Sequence, residues 1–278
     1  MTRIPFRKMH GLGNDFVVLD QRRDPLGVDA AGARALANRH TGIGCDQVLV
    51  LEQPRDALAQ VFMRILNPDG GEAEACGNGT RCVARLIAAE TGKNRVLIET
   101  EAGLLDAKVD GDGVATVDMG APLLSWQDIP LAREMDTLDV KLHRGPLSHP
   151  VCTNMGNPHA TFFVDDADAI DLARYGPLLE RDRLFPQRAN IEVATVRDRD
   201  TIRLRVWERG AGITLACGSG ACAALVAAHR RGLVGEHATV VLDGGALDIE
   251  WRGRGHVLMT GPATLSFEGT FDAALIGA

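Results

Sequence analysis

The 278-residue sequence has few aromatic residues and no excess of positive charge. Phe, Trp and Tyr together make up 4% of the chain, and 37 acidic residues outnumber 30 lysines and arginines, which gives a formal net charge of −7. Surfaces that bind nucleic acids usually combine basic patches with stacking aromatic side chains. The composition therefore argues against a nucleic-acid partner and favours a small molecule.

Signals for a membrane or for secretion are also missing. The stretch 210–228 has no formal charge, but it contains four glycines. A membrane-spanning helix needs about 20 predominantly apolar residues. The N-terminal residues mix charged and apolar side chains and contain no apolar signal-peptide core. We expect a cytoplasmic protein with no membrane partner.

The sequence lacks the usual signatures of cofactor and metal sites. Its four lysines lie in no stretch typical of a pyridoxal Schiff base, and it has neither a GxGxxG motif nor a Walker lysine. The cysteines are too sparse for a disulfide scaffold and form no CxxC pair. We expect no cofactor, no metal and six free thiols, at Cys45, Cys76, Cys82, Cys152, Cys217 and Cys222.

An internal repeat organises the chain. "ACGNGTRC" around Cys76 returns as "ACGSGACA" around Cys217, in the second half of the chain. Further matches at nearly the same offset keep the same order, including Gly13-Asn14 with Gly156-Asn157 and residues 103–106 with residues 245–248. A collinear repeat of this length indicates a duplicated domain.

Each half follows the same predicted pattern: strands, a thiol-glycine turn, an apolar helix, and more strands. We predict a mixed α/β fold of the α+β type. Two similar domains would each wrap a mostly antiparallel sheet or barrel around a central helix, with an active-site cleft between them. The predicted domains are 1–122, joined by a returning segment 264–278, and 123–263, and a proline-interrupted linker is expected within residues 123–151.

The repeated motif places a cysteine directly before Gly-x-Gly and a helix. Glycines leave the backbone N–H groups unhindered, and the helix dipole adds about half a positive charge at this end. Such a turn binds anions and favours a thiolate. Two such turns facing one cavity suit the inversion of a carbon that bears an acidic hydrogen, because one thiolate removes the proton and the opposite thiol returns one.

Alternatives remain open for these residues. A lone cysteine is more often a small buried hydrophobe, which is the expectation for the four cysteines outside positions 76 and 217. Cys76 and Cys217 could instead form a reversible disulfide in a redox sensor. A catalytically inactive amino-acid-binding module is the third alternative, and the presence of both cysteines argues against it.

Six motifs together resemble the diaminopimelate epimerase family, in its order and spacing. They are "KMHGLGNDFVVLD", "GIGCDQVL", "RILNPDGGEAEACGNGTRC", "NMGNPHA", "RANIEV" and "WERGAGITLACGSGACA", within residues 8–223. The resemblance implies a cofactor-independent, homodimeric, cytoplasmic isomerase. It would interconvert LL- and meso-diaminopimelate in bacterial lysine and peptidoglycan precursor synthesis.

The resemblance also implies roles for individual residues. Cys76 and Cys217 would be the acid/base pair, with His159 and Glu208 tuning their pKa values. The α-carboxylate would lie against the N–H groups of the two turns, and Arg209 would pair with the distal carboxylate. The implied substrate-binding residues are Asn14, Gln47, Asn67, Gly77, Asn78, Asn157, Asn190, Glu208, Arg209, Gly218 and Ser219. Without the resemblance, most of these are equally compatible with turns, surface amides or a surface ion pair.

Two positions depart from the family pattern. Ile213 stands where the resemblance leads us to expect Glu, and Leu215 stands where Gln is common. The first departure puts in doubt what supports the loop beside the second cysteine. The closest alternative function is that of a two-thiol proline or hydroxyproline racemase. The substrate of such a racemase has one carboxylate and no second polar end, so it would not need all the implied amide side chains and Arg209.

Overall fold

The computed structural model describes residues 2–277, which contain 19 strands, four α-helices and one short 3-10 helix. Internal packing divides the chain into two compact units. The first unit contains the residues up to Val117 and those from Gly261 onward, and the second unit contains Asp118–Thr260. Within the described residues, no helix combines the length and apolar character that crossing a membrane requires.

The first unit begins with eight strands and two helices. In chain order they are β1 Arg3–Gly11, β2 Asn14–Asp20, α1 Ala30–Ala37, β3 Gln47–Glu52, β4 Val61–Leu66, β5 Glu72–Ala73, α2 Gly77–Thr91, β6 Arg95–Thr100, β7 Gly103–Val109 and β8 Ala115–Asp118. The pairs β2/β3 and β4/β6 are parallel, and β1/β2, β3/β4, β4/β5, β6/β7 and β7/β8 are antiparallel.

The second unit repeats this plan after a short hairpin. Its elements are β9 His143–Arg144, β10 Leu147–Ser148, β11 Val151–Asn154, β12 Pro158–Phe163, α3 Leu172–Glu180, β13 Asn190–Asp198, β14 Thr201–Glu208, β15 Gly212–Thr214, α4 Gly218–Arg230, β16 His237–Leu242, β17 Gly245–Glu250 and β18 Leu258–Gly261. Here β12/β13 and β14/β16 are parallel and the other pairs antiparallel. Strands β11 to β18 thus repeat the pairing of β1 to β8, which confirms the predicted duplication.

One helix in each unit packs against that unit's own sheet. Helix α2 contacts β1, β6 and β7, and α4 contacts six strands of the second unit. Ten of the thirteen residues of α4 are buried, because its sequence is almost entirely small and apolar. Helix α2 ends at Gly92, whose φ of +69° is the left-handed conformation that glycine adopts without a steric penalty. The predicted central helices are therefore present.

The segment 123–151, within which we predict a proline-interrupted linker, packs into the second unit. Ile129, Val140 and Leu147 are buried in the same apolar cluster as Phe162 of β12. Prolines interrupt regular structure, but the apolar residues between them can still be buried. Burial of their apolar surface is favourable in free energy, and this determines where the segment lies.

The chain ends with β19 Thr264–Asp272 and a 3-10 helix, Ala273–Ile276. Strand β19 pairs antiparallel with β1 from Arg3 opposite Asp272 to His10 opposite Thr264, with a register shift between Lys8 and Met9. Phe6 and Phe271 are buried in the apolar cluster beside α1. The last strand therefore completes the sheet of the first unit.

Candidate active site

Both repeated cysteines occupy the N-cap position of the buried helix in their own unit. Cys76 caps α2, and its Sγ accepts a hydrogen bond from the N–H of Gly79 at 3.4 Å. Cys217 caps α4, and its Sγ accepts from the N–H of Gly220 at 3.3 Å. A Cβ at position 220 would lie 3.2 Å from the Cys217 sulfur, so a side chain there would crowd the thiol. The second glycine of the Gly-x-Gly pattern therefore leaves room for the Cys217 sulfur at the end of α4.

The surroundings of Cys217 favour the neutral thiol. Its residue is 5% exposed. Burial raises the pKa of the Cys217 thiol well above its ordinary value, and the carboxyls of Glu208 and Glu192 raise it further, against smaller opposing contributions from Ser219 and the Gly220 N–H. The expectation that the turn favours a thiolate is thus wrong for Cys217, because desolvation outweighs the hydrogen bonds from Ser219 and from the Gly220 N–H at the helix end. Cys76 is more exposed.

The first unit carries a directed series of hydrogen bonds through two predicted binding residues. Nη2 of the fully buried Arg81 donates to Oδ1 of Asn78 at 2.9 Å, and Nδ2 of Asn78 donates to Oδ1 of Asn14 at 3.1 Å. Nδ2 of Asn14 then donates to Oδ2 of Asp46 at 3.0 Å. Because each amide oxygen accepts and each amide nitrogen donates, the orientation of both amides is fixed.

An ion-pair cluster anchors the far end of this series. Asp15 lies between Lys8 and Arg39, and Arg39 also contacts Asp46 at 2.8 Å. Burial acts to raise the pKa of Asp15, but hydrogen bonds from Arg39 and Lys8 lower it to about 2. The Asp15 carboxylate is therefore ionised at neutral pH, and it also accepts from the N–H of Asp46 at 3.0 Å.

Two other predicted residues of the first unit contact each other. Gln47 is the first residue of β3, and Asn67 follows β4, which is antiparallel to β3. Nε2 of Gln47 donates to Oδ1 of Asn67 at 2.9 Å. Asn67-Pro68-Asp69-Gly70 forms a turn, in which the N–H of Gly70 donates to the Asn67 carbonyl at 2.9 Å.

In the second unit, His159 lies between a carboxyl and an amide. Its Nδ1 is 2.6 Å from Oε1 of Glu192, and its Nε2 is 2.7 Å from Oδ1 of Asn157. His159 and Glu192 are both fully buried. Sequence reasoning missed Glu192, although the two-residue period of a strand places it on the same face as Asn190.

The predicted residues Asn190 and Arg209 are joined through the backbone. Oδ1 of Asn190 accepts from the N–H of Arg209 at 2.8 Å, and its Nδ2 donates to the carbonyl of Pro158 at 3.2 Å. The guanidinium of Arg209 reaches the Gln187 carbonyl at 3.1 Å and is solvent-accessible. Asn190 thus positions the residue that carries the Arg209 side chain.

A buried carboxyl supports the loop that bears Glu208 and Arg209. Oε2 of Glu180 accepts from the indole Nε1–H of Trp207 at 2.8 Å, and its Oε1 accepts from the N–H of Gly210 at 3.2 Å. Ile213 lies 43% exposed in β15, opposite Trp207. The loop is therefore held by Glu180 from α3, a residue that sequence reasoning missed because its partners are distant in sequence.

Glu208 is close to the second cysteine. Burial raises the pKa of the Glu208 carboxyl, against hydrogen bonds with Thr214 and Cys217 that lower it. Gly218 and Ser219 are the first two residues of α4, where the N–H groups point out of the helix end. The half-site of the second unit thus combines a thiol, a carboxyl, an imidazole and backbone donors.

The remaining cysteines are buried thiols outside any disulfide, as expected. They are Cys45, Cys82, Cys152 and Cys222. Burial raises the pKa of Cys45 to about 11 and that of Cys82 to about 12, so both are unreactive thiols at neutral pH. In residues 2–277, no group of three His, Cys, Asp or Glu side chains is arranged to hold a metal ion.

The family profile and the named relatives that match this sequence agree on one family. The profile of the diaminopimelate epimerase family matches residues 6–124 and 151–266. A diaminopimelate epimerase from Rhodospirillum centenum is 62% identical over 271 residues, which cover 98% of this chain and 93% of that protein. Another from Acidiphilium cryptum is 59% identical over 272 residues, which cover 98% of each chain.

Solved structures share the fold at much lower identity. A hydroxyproline epimerase from Agrobacterium vitis, with bound trans-4-OH-L-proline, is 17% identical with a TM-score of 0.69, covering 99% of this chain and 95% of that one. A PhzF-family phenazine biosynthesis protein from Bacillus anthracis is 16% identical with a TM-score of 0.67. The match covers 98% of this chain and 100% of that one. These similarities establish the two-domain α+β fold alone. The sequence matches over nearly the whole chain establish that it belongs to the diaminopimelate epimerase family.

Proposed function

We propose that this protein interconverts LL- and meso-diaminopimelate by moving a proton at one α-carbon with two cysteines and without a cofactor. The observation that carries the proposal is the equivalent placement of Cys76 and Cys217, each capping the buried helix of its own repeated unit. Membership of the family makes the protein an isomerase, and its relatives carry the name of this epimerase.

In the proposed reaction, both cysteines act on one substrate. The thiolate of one cysteine takes the α-hydrogen as a proton, and the electron pair left on carbon delocalises into the α-carboxylate. The thiol of the other cysteine then gives its proton to the opposite face of the carbon and becomes the thiolate. After the reaction, the first cysteine is the thiol and the second is the thiolate. A turnover in the reverse direction returns both cysteines to their starting protonation states.

The half-site of the second unit is suited to a neutral thiol in the form described here. Burial and two neighbouring carboxyls keep Cys217 as the thiol, which is the form required of the proton donor. We assign Cys76 as the base that begins turnover in this form. His159 and Glu208 would tune the pKa values of the thiols as the proton moves.

The substrate would be held by its three kinds of polar group. The N–H groups of Gly77, Asn78, Gly218 and Ser219 would stabilise the charge that develops on the α-carboxylate. The exposed guanidinium of Arg209 would pair with the distal carboxylate, and Glu208 would accept from an ammonium group. The remaining substrate-binding side chains would be the amides of Asn14, Gln47, Asn67, Asn157 and Asn190.

We also propose the cellular setting that the family resemblance implies. The protein would act in the cytoplasm, in lysine and peptidoglycan precursor synthesis, and would form a homodimer. Leu265 and Phe267 of β19 support the dimer, because they are large apolar side chains that are 39% and 51% exposed. Sedimentation velocity of the purified protein tests the oligomeric state.

A substrate comparison tests the proposed activity. The purified protein, kept reduced and given no cofactor, is incubated separately with LL-diaminopimelate, L-proline and trans-4-hydroxy-L-proline, and the products are separated by chiral chromatography. We expect meso-diaminopimelate from the first and no inversion of the other two. Inversion of a proline substrate with none of diaminopimelate would overturn the proposal.

A further inference from the structure

Three side chains of the second unit form a continuous hydrogen-bonded series beside Cys217. Glu192 and His159 lie on the adjacent parallel strands β13 and β12, and Asn157 directly precedes β12. The series runs from Oε1 of Glu192 to Nδ1 of His159, at 2.6 Å, and from Nε2 of His159 to Oδ1 of Asn157, at 2.7 Å. A Cβ on Gly220 would lie 3.2 Å from both Oε1 of Glu192 and the Cys217 sulfur, so the series borders the thiol.

The hydrogen atoms in this series follow from its acceptors. The amide oxygen of Asn157 can only accept, so Nε2 of His159 carries a hydrogen. One further proton lies between Nδ1 of His159 and Oε1 of Glu192. The His159–Glu192 pair is then neutral overall, whichever of these two atoms holds the proton. Burial raises the pKa of Glu192, and its other oxygen, Oε2, has no hydrogen-bond partner among residues 2–277. An ionised carboxylate with an unpaired buried oxygen is costly, so the shared proton is retained.

The shared proton determines which end of the Asn157 amide faces the site. With Nε2–H donating to Oδ1, the NH2 group of Asn157 points away from His159 and can donate to a carboxylate. If the pair lost one proton, the single hydrogen left on the ring would lie on Nδ1, where it donates to the Glu192 carboxylate, and Nε2 would become an acceptor. The amide would then have to turn, and its oxygen would face the substrate carboxylate and repel it.

We propose that Glu192 is a positioning residue: through His159 it fixes the Asn157 amide with its N–H groups directed to the substrate. Glu192 does not touch substrate. The kinetic part of this inference rests on the proposed function, whereas the state of the His159 ring can be measured in the free protein.

Charged and titratable groups on every neighbouring element act on the pair. Glu208 on β14 interacts electrostatically with both His159 and Glu192, and Cys217 at the start of α4 with Glu192. Cys152 on β11 interacts with Glu192 and with Arg230 of α4. The carboxyl of Glu208 opposes the appearance of a second negative charge beside it, which favours the neutral pair.

The first measurement uses no substrate. Nitrogen-15 NMR of the histidine rings in the full-length protein distinguishes Nε2–H from Nδ1–H tautomers, and loss of one ring signal in His159→Gln assigns the residue. We expect Nε2–H on His159 at neutral pH, with Nδ1 strongly hydrogen-bonded. In Glu192→Leu we expect the Nδ1 signal to shift toward that of an unbonded ring nitrogen. An Nδ1–H tautomer with an unprotonated Nε2 in the unmodified protein would overturn the inference.

The second measurement is steady-state kinetics across pH on LL-diaminopimelate. We expect Glu192→Leu to raise KM about tenfold or more, because it leaves buried polar groups unpaired, with a smaller effect on kcat. Glu192→Gln can donate an N–H to Nδ1 and cannot lose a proton, so it should keep KM within about threefold and flatten any alkaline fall in kcat/KM. Glu236→Gln removes an exposed charge from the same unit and serves as the control.

The outcomes separate the two proposals. If the unmodified protein does not epimerise diaminopimelate, the proposed function fails, and the NMR result alone decides the arrangement of Glu192 and His159. If the protein is active but Glu192→Leu changes neither KM nor the His159 tautomer, the positioning role is wrong. Glu192→Gln keeps the kinetic test available if the leucine variant does not fold.

Discussion

The guanidinium of Arg81 donates a hydrogen bond of 2.9 Å to the side-chain oxygen of Asn78, and Arg81 is fully buried. The fixed charge thereby holds the Asn78 amide at the first turn of α2, close to Cys76. The sequence motif predicts Asn78 as a binding residue but does not identify what orients it.

Replacing Arg81 tests this orientation. We expect Arg81→Met to lower kcat/KM on diaminopimelate by about ten- to a hundredfold, because Asn78 loses the donor that fixes its amide, and this amide is the donor to Asn14. Steady-state kinetics with a thermal melt to verify folding are the measurements. Arg85→Met is the control, since Arg85 lies on the same helix one turn later and donates to the Ala263 carbonyl. Equal losses in the two variants would show a general effect on α2 instead.

The loop support offered by Glu180 gives a second prediction. Glu180→Ala leaves the Trp207 and Gly210 N–H groups without their acceptor, which should reduce the free energy of unfolding by about 2 kcal/mol and raise KM. Ile213→Glu should change both quantities little, because residue 213 is exposed and Glu180 already holds the loop. Denaturant unfolding and kinetics measure the two effects. A larger effect from Ile213→Glu than from Glu180→Ala would assign the loop support to position 213.

The pKa of Cys217 predicts how its alkylation depends on pH. A raised thiol pKa means that less thiolate exists at any pH below that value, and that reactivity increases only as the pH rises through it. We expect iodoacetamide to modify Cys217 much more slowly than an unhindered thiol at pH 8, as followed by peptide mass spectrometry. Glu208→Gln removes one nearby negative charge and should increase the Cys217 rate at pH 9. An unchanged rate would mean that Glu208 does not influence this thiol.

The two cysteines should be individually indispensable. We expect Cys76→Ala and Cys217→Ala each to lower kcat by at least about a thousandfold, because a two-base inversion cannot proceed with one base. Binding of the substrate, measured by calorimetry, should remain detectable. Cys45→Ala is the matched control, since Cys45 is a buried thiol of the first unit and should leave kcat nearly unchanged. Full turnover by Cys76→Ala or by Cys217→Ala would contradict the two-base mechanism.

Local patterns were sufficient to predict much of the fold. The predicted order of strands, thiol-glycine turn, apolar helix and more strands is present in the first unit, where β4 precedes the turn at Cys76 and β6 follows α2. These predictions depend only on side-chain period and on glycine's access to positive φ. The prolines of residues 123–151 do not reveal that the apolar residues between them pack into the second unit.

The residues that were missed act through contacts distant in sequence. Glu192 meets His159 across two strands, and Glu180 reaches Trp207 from another helix. Strand periodicity places a residue on a face but does not reveal its partner. The protonation state of Cys217 also depends on burial, which a helix-cap motif does not determine.

The central claim is that the proton removed and the proton returned belong to different thiols. The direct measurement is mass spectrometry of the product formed at early times from LL-diaminopimelate in deuterated buffer, where both thiols have exchanged before substrate binds. The account predicts one deuterium on the inverted α-carbon of each meso molecule, while unreacted substrate keeps its α-hydrogen. Product that retains the original α-hydrogen would contradict it.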